Sequence, residues 1–411
     1  MKSSLKFSEM FAISLMLFAL FFGAGNIIFP PVLGQSAGEN VWIAITGFIV
    51  TGVGLPLLAV IAVALEGDIN TLASRVHPIF AIVFITAIYL AIGPLFVTIP
   101  RTGTVSYEMG IKPFLPRDIA DQSYSIFIFT IIFFAITFYL ALNPSKLVDR
   151  IGKILTPILL AIIAIIVRKA IITPIGELAA PIEAYKAPLF KGFIEGYLTI
   201  DAIAALVFGI VVIHAIKEKG ITKKNTIAKV TIFAGIIAAL GLTIMYLALA
   251  YIGASSVSLG KLENGGIILT NVVNHLFGTY GKVLLGIAII VACLTTTVGL
   301  VTACADFFPK LLPKLSYKKI AIMLCVLALM VANIGLTQLI AVSLPVLITI
   351  YPIAIVLIVL YHLSKNTFGS AIAMYMGAIV GALAISFFNG LQNANIKIEA
   401  IANILHKITI I

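Results

Sequence analysis

The segment FALFFGAGNIIFPPVLG, residues 18–34, places helix-breaking residues in the middle of a long apolar run. Gly23 and Gly25 let the backbone leave helical dihedral angles at low cost, and Pro30–Pro31 removes two backbone donors. Inside a bilayer, a broken helix is tolerated only where protein groups or a water-filled cavity satisfy the freed backbone groups. Because the polar amide of Asn26 stands in the same place, the segment predicts a binding site. Close packing of the glycines against other helices, with a helix end at the prolines, is the alternative.

The composition of the 411-residue chain restricts the fold to one class. Hydrophobic residues make up 61% of the sequence and charged residues only 10%, whereas a soluble domain has about 25% charged residues. Apolar runs of about 20 residues, long enough to cross a bilayer as helices, recur along the whole chain. The short alternating segments typical of an outer-membrane barrel are not visible. We therefore predict an all-α polytopic membrane protein in which residues 1–411 form a single transmembrane domain.

Eleven apolar segments are predicted to cross the membrane. They lie at residues 7–33, 41–65, 78–99, 122–142, 150–172, 196–216, 226–253, 281–307, 318–337, 339–362 and 368–389. The tail from Asn395 to Ile411 mixes apolar and charged residues, and is either a short twelfth element or an interfacial helix. The longer connections at 100–121, 173–195 and 254–280 are predicted to be outer loops.

The distribution of basic residues predicts the orientation of the chain. The two densest lysine clusters, in the loops 217–229 and 309–319, fall on the same side as the N-terminus. Cytoplasmic loops are the ones enriched in lysine and arginine, so the N-terminus is predicted to be cytoplasmic. Such loops also explain the net charge of +11 better than the binding of a nucleic acid does.

Asp201, in GYLTIDAIAALVFGIVV (196–212), is the only carboxylate in its apolar run. Acidic residues inside membrane spans are costly and usually face the bundle interior or a transport pathway. The predicted position of Asp201 near the outer end of the span also fits a solvated helix end, so both interpretations stay open. Gly209 is a second candidate weak point in this helix.

Three consecutive threonines, Thr295, Thr296 and Thr297, lie in the apolar helix ACLTTTVGLVTACADFF (292–308). Successive residues of this kind span about 200° of a helix, so they cannot all face one neighbour. Their hydroxyl groups either bond to carbonyl groups one turn earlier or present an adjacent pair of oxygens to a small hard cation such as Na⁺. Oxygen ligands suit Na⁺ by the same reasoning that suits them to Ca²⁺.

Arg101 follows a proline in AIGPLFVTIPRTGTVSYE (91–108). Since Pro100 is predicted to end the third span, Arg101 is placed at the outer interface. There it either extends its charge into the headgroup region or pairs with Glu108 or with a substrate carboxylate.

Catalytic motifs do not compete with these features. The sequence has no HExxH, GxSxG or GxxxxGK[ST] pattern, and its five histidines are scattered. The cysteines Cys293, Cys304 and Cys325 lie in apolar runs with a spacing that suits no metal site. We therefore expect neither an enzyme nor a resident cofactor.

Several of these segments resemble one family in sequence and in order. The residues that carry the resemblance are FALFFGAGNIIFPPVLGQSAG, GFIVTGVGLPLLAV, YLAIGPLFVTIPRTGTVSYE, GYLTIDAIAALVFGIVV, GLTIMYLALAYIG and ACLTTTVGLVTACADFF. Together they resemble the bacterial branched-chain amino acid:cation symporters, the BrnQ-type carriers, over nearly the whole chain. The chain differs from that family at its end, where the usual twelfth span is short or missing.

The resemblance implies a LeuT-like fold of the amino acid–polyamine–organocation superfamily. Such a bundle has 11–12 transmembrane helices and two inverted repeats, here about 7–172 and 196–362, followed by extra helical residues at 368–411. In this architecture the broken middles of spans 1 and 6 hold the substrate.

The resemblance also assigns roles to residues. The amides of Ala24, Gly25 and Asn26 are expected to face the amino acid carboxylate. Phe208 and Gly209, at the expected break of span 6, would hold the amino group and the side chain.

A Na⁺ ion is expected between the break at Gly23 and the hydroxyl groups of span 8. Thr296 and Thr297 are the best matches for it, with Thr295 as the alternative register. Asp201 and Arg101 remain candidates for gating or coupling.

The function implied is import of leucine, isoleucine or valine by Na⁺ symport across the bacterial cytoplasmic membrane. An apolar pocket separates side chains that differ by one methylene by only about 1–3 kcal/mol, so overlapping uptake of the three is expected. H⁺ coupling, which Asp201 would permit, and another neutral amino acid as substrate are the alternatives. The expected partners are the substrate and membrane lipid, and the sequence predicts no oligomeric state.

Overall fold

The computed structural model describes residues 5–93, 98–120, 122–262, 264–367 and 372–394. These residues form helices and no strand. The α-helices are α1 Phe7–Phe21, α2 Ala24–Ala37, α3 Val41–Ile49, α4 Leu55–Glu66, α5 Ile69–Ser74, α6 Pro78–Ile92, α7 Thr98–Gly110, α8 Arg117–Ala120, α9 Ser123–Ala141, α10 Thr156–Ile172, α11 Pro188–Glu195, α12 Asp201–Glu218, α13 Lys224–Ser255, α14 Gly265–Phe277, α15 Thr279–Leu311, α16 Tyr317–Ala332, α17 Leu336–Thr367 and α18 Ile372–Asn393. The predicted element at 395–411 lies outside the described residues.

Within the described residues, seven helical stretches are long and apolar enough to cross a membrane. An eighth span results when Pro188–Thr199 and Asp201–Glu218, which meet at an angle of 44°, are taken as one broken helix. Phe7–Phe21, Pro78–Ile92 and Gly265–Phe277 are shorter apolar helices. Helices occupy the described part of every predicted span, so the all-α, multi-span architecture is confirmed.

The first span is broken, but not at the residues expected from its prolines. α1 ends at Phe21 and α2 begins at Ala24, with Gly23 in an extended conformation between them. The alternative of a helix end at the prolines is wrong, because Pro30–Pro31 lies inside α2. α13 and α14 pack closely on α2.

The sixth span is also broken, and here the predicted position is wrong. The break falls at Ile200, whose φ of 69° makes it the only non-glycine residue with positive φ in the described chain. Phe208 and Gly209 lie inside the intact helix α12, and Gly209 packs against Val63 of α4. A β-branched residue in the left-handed region is strained and persists only when its surroundings hold it there.

The third span does not end at Pro100. α7 continues to Gly110, so much of the predicted outer loop 100–121 is helix. Its polar side chains face other helices rather than lipid: Thr104 Oγ1, for example, donates to the carbonyl of Ala332 at 2.9 Å. The other two predicted loops, 173–195 and 254–280, contain α11 and α14.

Packing brings the two broken helices together at the centre of the bundle. α1 packs against α12, α13 and α15, while α12 also packs against α4. α7 packs along α15. Both helix breaks therefore face a common interior, enclosed by α7, α13 and α15.

Candidate functional site

The two helix breaks meet at a small buried cavity of about 20 Å³, which is room for about one water molecule. It is lined by Leu20, Phe21, Gly23, Ala24, Gly25, Asn26, Thr98, Arg101, Thr102, Thr199, Ile200, Asp201, Ala204, Phe208, Thr296 and Leu300. Every predicted substrate and gate residue except Gly209 therefore lies at this cavity. Two of the predicted cation ligands, Gly23 and Thr296, lie there as well.

A hydrogen-bonded group joins the two breaks. Asn26 Nδ2 donates to Asp201 Oδ2 at 2.5 Å and also to Tyr246 Oη. Tyr246 Oη donates in turn to Asp201 Oδ2 at 3.0 Å. The interpretation of Asp201 as a solvated helix end is wrong, since the residue is 3% exposed. A buried carboxylate is costly unless it accepts hydrogen bonds, and Asn26 and Tyr246 supply them.

Tyr246 is a site residue that the sequence did not reveal. It lies in GLTIMYLALAYIG of α13, five residues before a second tyrosine, Tyr251, that only partly buries its ring. Both look alike in the sequence as aromatic residues of an apolar span. Only the folded structure distinguishes them, because it brings Tyr246 next to Asn26, which lies 220 positions earlier in the chain.

Arg101 lies at the cavity and not at the membrane interface where the sequence placed it. Its side chain is buried, 4% exposed, and a methyl group added at Gly25 would lie 2.8 Å from Nη2. The guanidinium Cζ is 5.8 Å from the centre of the Phe29 ring. The predicted partner Glu108 instead pairs with Lys112 at 3.2 Å. The sequence analysis placed Arg101 wrongly because it ended the third span at Pro100, whereas α7 continues through this residue.

The three threonines face two different helices, α1 and α7. Thr295 Oγ1 donates to the carbonyl of Ala19 at 3.0 Å and to that of Ala292 at 2.9 Å. Thr296 Oγ1 reaches the same Ala19 carbonyl at 3.2 Å. Thr297 instead bonds to Cys293 O and to Thr102 Oγ1 of α7, at 2.6 and 2.5 Å. The pair that faces α1 is therefore Thr295 and Thr296, not the expected Thr296 and Thr297.

The break in span 1 explains why the Ala19 carbonyl accepts these bonds. In a continuous helix its acceptor site would be filled by the N–H four residues later, that of Gly23. At the break, Gly23 N donates to Phe21 O at 2.7 Å instead. The carbonyl of Ala19 is thereby freed at the end of α1, next to two hydroxyl groups of α15.

The region between Ala19 of α1 and Thr295 and Thr296 of α15 offers neutral oxygen ligands to a metal ion. In the part of the chain that the structure describes, no three histidine, cysteine or acidic side chains cluster closely enough to hold one. The three cysteines are buried and unpaired as disulfides. Hydroxyl and carbonyl oxygens suit a hard cation better than a transition metal.

A second, larger cavity of about 340 Å³ lies further along α12. Val207 and Val211 line it on α12, while Asp306 lines it on α15. His214 Nδ1 lies 3.7 Å from Asp306 Oδ2 at its wall. Phe208 lines the smaller cavity, and its ring meets that of Phe21 edge-on at 5.4 Å. The larger cavity reaches the lysine-rich side of the bundle, since Lys217 also lines it.

Two solved structures of transporters share this fold. The chain superposes on MhsT in complex with L-phenylalanine with a TM-score of 0.62, over 93% of this chain and 98% of that one, at 14% identity. It superposes on Mhp1, a nucleobase-cation-symport-1 family transporter in a closed conformation with bromovinylhydantoin bound, with a TM-score of 0.58. That match covers 95% of this chain and 94% of Mhp1 at 16% identity. The LeuT-like fold that the sequence predicted is confirmed.

Curated relatives match the chain over almost its full length. It is 54% identical over 412 residues to the branched-chain amino acid permease BrnQ of Bacillus subtilis (strain 168), covering 99% of this chain and 93% of that protein. It is 53% identical to the permease BraB of the same organism, covering 98% and 90%. The branched-chain amino acid transport system 2 carrier protein of Pseudomonas aeruginosa is 47% identical, covering 96% and 89%.

The family described as branched-chain amino acid transport protein matches residues 6–410. Its members are transporters and not enzymes, in agreement with the sequence analysis. The match extends through the helices that form both breaks and the cavity between them. The chain belongs to the branched-chain amino acid transport protein family.

Proposed function

We propose that this protein imports leucine, isoleucine and valine by symport with Na⁺ across the bacterial cytoplasmic membrane, with its N-terminus in the cytoplasm. The observation that carries the proposal is the meeting of two broken helices at one buried polar cavity. The relatives named as branched-chain amino acid permeases support the choice of substrate.

The substrate carboxylate is assigned to the start of α2. The first N–H groups of a helix have no partner within it, and the helix dipole favours negative charge there. Ala24, Gly25 and Asn26 supply these groups next to the cavity. Phe208 and Leu300 form an apolar wall that suits an aliphatic side chain. The proposed orientation puts head group and side chain on opposite walls of one cavity.

The coupling ion is assigned to the corner between α1 and α15. Thr295, Thr296 and the freed carbonyl of Ala19 place three neutral oxygens together. A Na⁺ ion would draw the hydroxyl lone pairs toward itself, replacing the present hydrogen bonds. Because Thr296 also lines the substrate cavity, ion and substrate would occupy adjoining positions, so that binding of one could favour binding of the other.

Transport requires the cavity to change. A volume of about 20 Å³ holds about one water molecule and excludes leucine. Since the larger cavity reaches the lysine-rich, proposed cytoplasmic side, release is proposed to follow α12 past Phe208. Loading would then depend on an outward-opening motion of one helix group against the other.

Uptake of labelled leucine into proteoliposomes tests both parts of the proposal. We expect counterflow of leucine, isoleucine and valine, and faster uptake with an inward Na⁺ gradient than with a K⁺ gradient. Absence of counterflow for all three would refute the substrate. Counterflow that is indifferent to Na⁺ would refute the coupling.

H⁺ coupling is the second candidate, and the burial of Asp201 at the cavity favours it. In that case uptake would follow a pH gradient without Na⁺, and Asp201→Asn would abolish this uptake. A protein that imports another neutral amino acid would show counterflow of that substrate in preference to the three branched-chain ones.

A further inference from the structure

The larger cavity, which the proposed function uses only as a release path, has the size and the lining of a binding site of its own. Its volume of about 340 Å³ lies within the range of small-molecule pockets. Val207 and Val211 of α12 and Ala303 of α15 line it, and all three are buried. An aliphatic side chain that packs against this apolar wall leaves water, which favours its binding.

Charged side chains of both signs line the exposed part of the same cavity. Lys217 and Glu218, consecutive residues at the end of α12, are exposed. Among the described residues, neither side chain takes part in an ion pair or a hydrogen bond. Asp306 of α15 differs from them, because it already faces His214 at 3.7 Å and Lys310 at 3.5 Å. The cavity therefore offers one cation and one anion to a ligand, next to an apolar wall.

We propose that this cavity is a second, low-affinity site for aliphatic α-amino acids, which enter it from the cytoplasm. Lys217 binds the carboxylate, Glu218 binds the ammonium group, and Val207 and Val211 contact the side chain. A fatty acyl chain would fill the apolar part but would leave both charges unmatched. Because the two charged groups are exposed to water, each contributes little to the affinity. We therefore expect a Kd on the order of 1 mM for leucine.

Occupancy of this second site opposes import. A ligand there binds the conformer in which the cavity at the helix breaks holds about one water molecule and excludes leucine. It thereby stabilises a state that cannot load substrate. By linkage, loading at the breaks and occupancy of the larger cavity weaken each other. Leucine that accumulates in the cytoplasm therefore slows its own uptake, a consequence that rests on the proposed function for the direction of transport.

Protection of a thiol measures occupancy of the second site. His214→Cys introduces an accessible thiol at the cavity wall, while the native cysteines are buried. The purified full-length variant is labelled with a methanethiosulfonate reagent in K⁺ buffer without Na⁺, at increasing concentrations of L-leucine. We expect half-maximal slowing of the labelling at ~1 mM leucine. L-alanine should need about tenfold more, because its smaller side chain buries less apolar surface. Labelling of Ser258→Cys should not respond to either amino acid.

Second substitutions in the His214→Cys protein assign the contacts. Lys217→Gln should raise the half-protecting leucine concentration about fivefold, the effect of losing one exposed charge pair. Val211→Phe fills the apolar part of the cavity and should abolish protection. Lys223→Gln, a matched change at an exposed lysine that does not line the cavity, should leave the half-protecting concentration unchanged. Equal values for Lys217→Gln and Lys223→Gln would overturn the assignment of the carboxylate.

Asn26→Leu, at the cavity between the helix breaks, separates the two sites. Protection of His214→Cys that persists in this background supports a separate site. Protection that is lost there, or that requires Na⁺, would show that leucine acts from the cavity at the breaks, and would overturn the inference.

Uptake by membrane vesicles of right-side-out orientation tests the effect on import. As the internal leucine concentration rises, uptake of labelled leucine should first increase through counterflow and then fall above ~1 mM. A plateau without this fall would overturn the inhibitory role. Absence of protection in a protein that takes up leucine would overturn the second site and leave the proposed function standing. Protection in a protein without any counterflow would refute the proposed function and leave the second site standing.

Discussion

Asn26 holds the two broken helices in register through a single amide group. Its Nδ2 donates to Asp201 across the break and to Tyr246 of α13. A side chain that packs at this position without donating would leave the Asp201 carboxylate with fewer partners. Because unsatisfied buried acceptors are costly, the hydrogen bonds that the Asn26 amide donates matter more to the geometry of the site than the volume of the Asn26 side chain.

Replacing Asn26 by leucine tests this dependence. Leucine is of similar size but donates no hydrogen bond, so Asn26→Leu is expected to reduce leucine uptake by about tenfold or more. Insertion and monodispersity on size exclusion should be retained. Asn274→Leu, at an exposed position of α14, is the matched control and should transport normally. Normal uptake by Asn26→Leu would show that the site assignment is wrong.

The threonines give a second test at the scale of single residues. Thr295→Ala and Thr296→Ala each remove an oxygen that faces Ala19. Each is expected to raise the Na⁺ concentration for half-maximal uptake by about tenfold. Thr297→Ala removes a hydroxyl that faces Thr102 and should leave this concentration nearly unchanged. The reverse pattern would restore the register expected from the sequence.

At the scale of helices, close approach of backbones decides the packing around the break. Gly34 of α2 touches the carbonyl of Ala250 on α13, and Gly253 of α13 touches the carbonyl of Pro31. Small residues permit such contacts in membrane bundles, where apolar side chains gain little by leaving lipid. These contacts bring α2 and α13 together at Pro31 and Gly34.

Gly34→Ala tests the packing of α2. The added methyl group has no room beside the Ala250 backbone, so the change is expected to destabilise the protein by about 1–3 kcal/mol. Thermal melts of the purified protein in detergent measure the effect. Gly381→Ala in α18, where a Cβ meets nothing within 4 Å, should change stability by about 1 kcal/mol or less. Equal melting temperatures for the two variants would contradict the packing argument.

At the scale of the whole molecule, the larger cavity opens on one side of the bundle. It is lined by His214 and Lys217 and reaches the lysine-rich side. The native cysteines are all buried. A single introduced cysteine therefore reports which side of the membrane the larger cavity faces.

Thiol labelling with a membrane-impermeant reagent tests this orientation. His214→Cys is expected to react in inside-out vesicles and to be protected in right-side-out cells. Ser258→Cys, exposed in the segment between α13 and α14, should show the opposite pattern. Reversed labelling of the two variants would place the N-terminus outside. The unmodified protein, with its buried cysteines, serves as the control for background reaction.

Most of the fold could be predicted from the sequence, but only part of the site. The spans follow from apolar runs whose length matches the bilayer, which is a local property of the chain. The break of the first span could be predicted from the glycine residues of segment 18–34, and the structure places it at Gly23. The break at Ile200 carries no local signal, because isoleucine normally avoids positive φ and is held there by its neighbours.

The sequence by itself determined that this is a helical membrane protein of one recognisable family, because hydrophobicity and motif order are properties of consecutive residues. Only the tertiary structure decided which polar side chains meet. It brought Tyr246 to Asn26, turned Thr295 rather than Thr297 toward Ala19, and placed Arg101 at the cavity. These contacts depend on helix rotation and on packing between distant segments, and a broken helix in lipid is stable only when such packing satisfies it.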